Sequence, residues 1–105
     1  MCRILAYLGP EASLATLLLD APHSLEVQSY QPREMATALM NADGFGAAWY
    51  PPRAPAPARY RSVLPMWADE NFPELARALE SRCVLANVRS ATPGVGFGLA
   101  NTQPF

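Results

Sequence analysis

The opening residues MCRILAYLG place a cysteine directly after the initiator methionine. Once Met1 is removed, the Cys2 thiol and a free α-amine share one carbon skeleton. An α-amine ordinarily titrates at about 7.7–8.0. It is therefore partly unprotonated near neutrality, so it can take the thiol proton and later return it to a leaving amine. That chemistry needs no histidine, and the chain has only one, His23. The plainer alternative is a small residue opening a strand. A second group is NADGFG (41–46), where Asn41, Asp43 and Gly44 form a compact polar turn. Asp43 is expected to bind nearby backbone amides, either as a simple tight turn or as a loop brought up to the nucleophile. A third group is VRSATPG (88–94), with Arg89 where an apolar run gives way to a loop. Its planar guanidinium matches the two oxygens of a carboxylate, and Thr92 adds a hydroxyl. Pairing of Arg89 with an internal acid is the competing reading. Cys83 sits in an apolar run and reads as structural, and His23 as a surface or turn residue. GVGFG (94–98) lacks the glycine spacing of a nucleotide loop.

The elements that must carry these groups alternate strands and helices, an α+β pattern. Residues 2–8 read as a buried strand closed by Gly9-Pro10. Leu14, Leu17 and Leu18 place a short helix over 12–19. Residues 23–31 read as an irregular or extended connection, and Pro32 starts a second helix that ends near Asn41. In GFGAAWY (44–50), Phe45, Ala47 and Trp49 share one side of a strand, and Gly44 and Gly46 imply close backbone approach. The proline-rich PPRAPAP (51–57) reads as a stiff hairpin loop returning through a strand at 58–64. Asn71 and Glu74 have capping-box spacing ahead of a helix with Leu75 and Leu79 inward. Residues 83–88 form another buried strand.

Composition narrows the function classes. The chain has 105 residues, half of them hydrophobic, and a formal net charge of -1. It fits one globular domain or part of one. No basic excess points to nucleic acid or to an anionic membrane surface. Two cysteines and one histidine cannot build a usual four-ligand zinc site, so neither metal nor cofactor is expected. The apolar stretches are too short to span a bilayer. The start is not a signal peptide. The expected setting is a reducing, cytoplasmic one.

In sequence order, MCRILAYLG, PHSL with QSYQPRE, NADGFGAAWY, VRSATPG and NTQPF together resemble the class II glutamine amidotransferases. These are N-terminal-nucleophile hydrolases, and the likeness is to the subgroup that includes the ergothioneine-pathway γ-glutamyl hydrolase. The resemblance implies a four-layer αββα sandwich with the nucleophile on the first strand. It implies that Cys2 attacks a γ-glutamyl amide to form a thioester, that Arg89 binds the glutamyl α-carboxylate, and that Thr92 is a neighbouring contact. The partner would be a small γ-glutamyl molecule. A non-catalytic γ-glutamyl-binding or partner-binding module on the same fold is the alternative.

Three departures accompany the resemblance. Many relatives have histidine where this chain has Asn87, and again where it has Gln103. Relatives also continue past the Pro-Phe to a strand and a His-Asn-Gly stretch that supplies the oxyanion hole. The expectation is therefore that residues 1–105 are the N-terminal portion of a single type-2 glutamine amidotransferase domain, incomplete at the C-terminus. Alone, they should be inactive or nearly so and poorly stable, with the apolar face of one sheet uncovered.

Overall fold

In the computed structural model, residues 2–30, 41–91, 93, 94 and 96–104 are described. The helix expected from Pro32 and the side chain of Thr92 lie outside them. Four strands form one sheet: β1 (Arg3–Ser13), β2 (Phe45–Trp49), β3 (Ala58–Ser62) and β4 (Glu80–Val88). Their order is β1-β4-β2-β3, and every neighbouring pair is antiparallel. The proline-rich loop does join a hairpin, β2 to β3, although β3 ends at Ser62 rather than at residue 64.

Gly9-Pro10 does not close the first strand. Pairing runs to Leu8↔Cys83 and resumes at Ala12↔Ser81, so four steps on β1 oppose two on β4. A proline without an N–H is tolerated here because β1 is an edge strand and the irregularity takes Pro10 out of the ladder. The Tyr7 hydroxyl spans the bulge and donates to the Pro10 carbonyl at 2.6 Å. β4 is likewise longer than the apolar run 83–88, starting at Glu80 to pair with Ser13.

Ser13 ends the strand and opens the helix that follows. Its Oγ accepts the Thr16 amide at 3.0 Å. The helical segment therefore begins after Ser13 rather than at residue 12, and Thr16–Asp20 is wound as a π-helix. Residues 23–31 are not irregular as expected, because α1 (Leu25–Tyr30) occupies most of them. Ser24 caps it by accepting the Val27 amide at 3.2 Å. Only Leu25 and Ser29 of α1 are buried, so it carries no apolar stripe by which periodicity could reveal it.

A 3₁₀ turn, Met66–Ala68, precedes α2 (Phe72–Ala78). The capping box expected at Asn71 does not form: Asn71 is itself helical in backbone and makes no side-chain cap. Asp69 supplies the acceptor instead, its Oδ1 taking the Asn71 amide at 3.0 Å. The buried residues of α2 are Phe72 and Ala76, with Leu75 and Leu79 half-buried beside them.

The helices cover one face of the sheet. Val84, Ala86 and Val88 of β4 and Phe45, Ala47 and Trp49 of β2 meet Leu14, Leu18, Leu25, Met66, Phe72 and Ala76 there. Phe45 and Phe72 pack edge to face with centroids 4.8 Å apart, and Tyr60 stacks on Phe72. Full burial of side chains of this size contributes about 1.5–3 kcal/mol each.

Tyr60 donates its hydroxyl to the buried carboxylate of Asp69. Burial, followed by the hydrogen bond and the negative charge of Asp69, pushes the Tyr60 phenol up to about 12. The unfolded chain releases that proton near 10, while the folded chain keeps it. The stabilisation is thus fully present below pH 10 and is lost as the pH rises toward 12. Urea midpoints measured across that window should fall, and Tyr60→Phe should remove this part of the slope.

The opposite face of the sheet is exposed along β1 and at Leu85 of β4, while residues 103 and 104 lie over Gly46 of β2. Ile4 is 66% exposed, Leu8 85% and Leu85 44%. No helix among the described residues is long and apolar enough to cross a membrane.

Candidate active site

Three sequence-distant groups meet because the register brings them to one end of the sheet. Arg3 pairs with Val88, and Val88 pairs in turn with Phe45. The residues just outside that row are Cys2, Arg89 and Gly44. An antiparallel β1-β4-β2 arrangement thus sets the start of β1, the end of β4 and the start of β2 side by side.

Cys2 is exposed and carries a free thiol. Its Sγ lies 3.7 Å from the Ser90 carbonyl, a weak S–H contact. Because side chains alternate along a strand, Cys2 lies on the same face as Ile4, the open face. Cys83 is also a free thiol, but it pairs with Leu8 toward the other end of the sheet.

The 41–46 and 88–91 segments are laced together. Arg89 donates its amide to the Gly44 carbonyl at 2.8 Å, and Asp43 donates its amide to the Arg89 carbonyl at 3.0 Å. The Asp43 carboxylate closes the lattice, its Oδ2 accepting the Ala91 amide at 2.7 Å. Asp43 does hold backbone, as its residue type predicted, but that backbone lies 48 residues away. Asn41 turns the other way. It is fully buried, its amide donates to the Ser29 carbonyl of α1 at 2.7 Å, and its side chain has no hydrogen-bond partner among the described residues.

The Arg89 side chain is 6% exposed. Nη2 donates to the Gly96 carbonyl at 3.0 Å, whereas the buried Nη1 has no partner among the described residues. Among the described residues no acid pairs with it, so the internal ion pair considered from sequence is absent there. A buried guanidinium nitrogen without an acceptor is costly and suits a group that anchors an incoming oxygen.

Sequence reasoning missed the strap that lies over this end of the sheet. Residues 96–104 return across β2, with a 3₁₀ turn at Leu99–Asn101. Arg61 Nη1 clamps the strap by donating to the carbonyls of Leu99 and Thr102, both at 3.2 Å. Thr102 is fully buried, its hydroxyl donating to the Gly98 carbonyl at 2.9 Å. Gly44 has φ of +124°, and a Cβ there would come within 2.8 Å of the Ser62 carbonyl and 3.3 Å of Thr102 Oγ1. The glycines of NADGFG were legible as points of close approach. Nothing local to Arg61 or Thr102 marks their roles. Among the described residues, no three His, Cys, Asp or Glu side chains gather as metal ligands.

No family model matches the chain. Curated relatives do. The chain is 46% identical over its whole length to a γ-glutamyl-hercynylcysteine sulfoxide hydrolase of Mycobacterium tuberculosis, spanning 44% of that protein. It is 50% identical to a hydrolase of the same name from Mycolicibacterium smegmatis, spanning 46% of it. It is 35% identical to a probable glutamine amidotransferase of Saccharomyces cerevisiae, spanning 31% of it. The chain thus covers less than half the length of these relatives. Along all of its own length, it is a relative of the γ-glutamyl hydrolases and glutamine amidotransferases, the group its motifs resemble.

Proposed function

We propose that the chain is the N-terminal portion of a type-2 glutamine amidotransferase domain, and that the whole protein is an N-terminal cysteine amidohydrolase cleaving a γ-glutamyl amide. The substrate would be glutamine or a γ-glutamyl metabolite, in a cytoplasmic pathway such as ergothioneine biosynthesis. The observation that carries this reading is the shared register row, which sets Cys2 beside Arg89 and the 43–44 turn.

In this reading Met1 is removed and the Cys2 α-amine takes the thiol proton. The thiolate sulfur attacks the γ-carbonyl carbon, forming the C–S bond. As the C–N bond breaks, the same amine returns the proton to the departing nitrogen. Water then adds to the thioester, releasing glutamate and the thiol. Arg89 holds the substrate α-carboxylate through the guanidinium edge bearing the unpartnered Nη1, and Thr92 contributes a neighbouring contact. The Asp43 lattice ties the backbone of Arg89 to the 43–44 turn, an arrangement that favours pre-organisation over adjustment on binding.

The open sheet face supports a sandwich architecture. One face already carries a helical layer, and Ile4, Leu8 and Leu85 on the other are apolar enough to receive a second sheet, as in an αββα fold.

The reading is tested by intact-mass analysis of the full-length protein before and after a glutamine-like electrophile. The expected result is loss of Met1 and one adduct, on Cys2. Retained Met1 with no adduct would end the hydrolase reading and leave a γ-glutamyl-binding module on the same fold.

A further inference from the structure

Asp43 and Cys2 are joined through one peptide group. The Ser90–Ala91 peptide donates its N–H to Asp43 Oδ2 at 2.7 Å, and its carbonyl accepts the S–H of Cys2 at 3.7 Å. Because the peptide is planar and trans, its N–H and C=O turn together. Whatever fixes the N–H therefore fixes the direction of the carbonyl. Cys2 needs such a reference. It precedes β1, whose first ladder pair is Arg3↔Val88, and it is exposed. A side chain in that position samples about three staggered wells. Among the described residues, the Ser90 carbonyl is the hydrogen-bond partner of its sulfur. A weak S–H contact selects one well only if the carbonyl is itself held. Ser90 and Ala91 lie past the end of β4 at Val88, beyond the ladder, and there the Asp43 carboxylate does the holding. A charged acceptor makes that the stronger kind of hydrogen bond.

We propose that Asp43 is a positioning residue for the nucleophile: through the Ser90–Ala91 peptide, its carboxylate holds the rotamer from which Cys2 Sγ meets the γ-carbonyl carbon. The proposal rests on the hydrolase reading above and adds to it the side chain that aims the thiol. The backbone and side chain of Asp43 have separate tasks. Its amide donates to the Arg89 carbonyl at 3.0 Å, which serves substrate binding, and its carboxylate serves Cys2. Removing the side chain leaves the first bond in place. The carbonyl orients the sulfur while it still bears its proton, and the Cys2 α-amine then takes that proton.

The test measures kcat and KM of the full-length protein for glutamine and for γ-glutamyl-p-nitroanilide. It also measures the rate at which iodoacetamide alkylates Cys2, followed by mass on the Cys2 peptide. Asp43→Ala is expected to lower kcat about 10–100-fold, the range for a reacting atom misplaced by up to about 1 Å, with KM within about 3-fold. Asp43→Asn keeps an oxygen that accepts the Ala91 amide and should return kcat to within about 5-fold of the unmodified protein. Iodoacetamide meets the sulfur in any rotamer, so its rate in Asp43→Ala should stay within about 3-fold. Ala91→Pro deletes the N–H and cuts the same bond from the other side. It should lower kcat as Asp43→Ala does, the double variant should be no worse than either single one, and it supplies the answer if Asp43→Ala does not fold. An unchanged kcat in Asp43→Ala, a raised KM in place of a lowered kcat, an Asn variant no better than the Ala variant, or alkylation that falls in step with kcat each overturns the positioning role and leaves the hydrolase reading intact. Failure of the unmodified protein to cleave either amide overturns the hydrolase reading and the positioning role with it.

Discussion

Cys2→Ala in the full-length protein should lower γ-glutamyl amide turnover on the order of 10⁴–10⁶-fold, the loss typical when a covalent nucleophile is deleted. The thermal midpoint should barely move. The thiol is exposed and makes one weak hydrogen bond among the described residues, 3.7 Å to the Ser90 carbonyl. Surface changes of that kind usually stay within about 0.5 kcal/mol. The separation of the two effects is the informative part. A residue placed at the strand start for packing would cost stability and leave chemistry alone; a nucleophile does the reverse. A residue inserted between Met1 and Cys2 should cost comparable activity if it keeps the Cys2 nitrogen in an amide, because the thiol survives but its base does not. If Cys2→Ala retains more than about a tenth of the activity, the thiol is not the nucleophile.

The second large effect concerns stability. Gly46→Ala should lower the folding free energy by about 3 kcal/mol, near the upper end for overpacking. Gly46 is held between two ladders, opposite Arg61 on β3 and Asn87 on β4, so its backbone cannot retreat. A Cβ there would overlap the Gln103 carbonyl oxygen and come within 2.7 Å of Pro104 Cδ and 2.9 Å of the Gln103 carbonyl carbon. The strap must therefore lift, straining the Arg61 clamp and the burial of Thr102 against Gly44. Gly9→Ala is the control. Its Cβ would meet mainly the tip of the Tyr7 side chain, at 2.9 Å, and a flexible side chain can move aside. Thermal melts should separate the two variants clearly, and limited proteolysis should cut Gly46→Ala within residues 96–104. Equal melting of the two would show that the strap is not seated on Gly46.

The site was partly legible for a local reason. Cys2 is chemically distinctive wherever it stands. Asp43, Gly44 and Gly46 announce a turn and a close approach because those properties belong to the residues themselves. Arg89 was placed at a strand end because an apolar run visibly stops there. The elements that were misjudged share the opposite property. The bulge that carries Gly9-Pro10 within β1 depends on β1 being an edge. The helix Leu25–Tyr30 depends on a Ser24 cap and on packing, with only Leu25 and Ser29 buried. Asp69 displaced Asn71 as the acceptor before α2 because Tyr60, from another strand, fixes its carboxylate.

By itself, then, the sequence determined which residues could do chemistry, the α+β alternation, and the apolar side of the 45–49 strand, since each follows from residue type or from a period of two. The tertiary structure decided that Cys2, Arg89 and Asp43 are neighbours, that Asp43 binds Ala91 rather than its own turn, and that residues 96–104 fold back over Gly46. Those facts depend on strand order and register. Both are set by long-range burial and pairing between segments that carry no local mark of their partners.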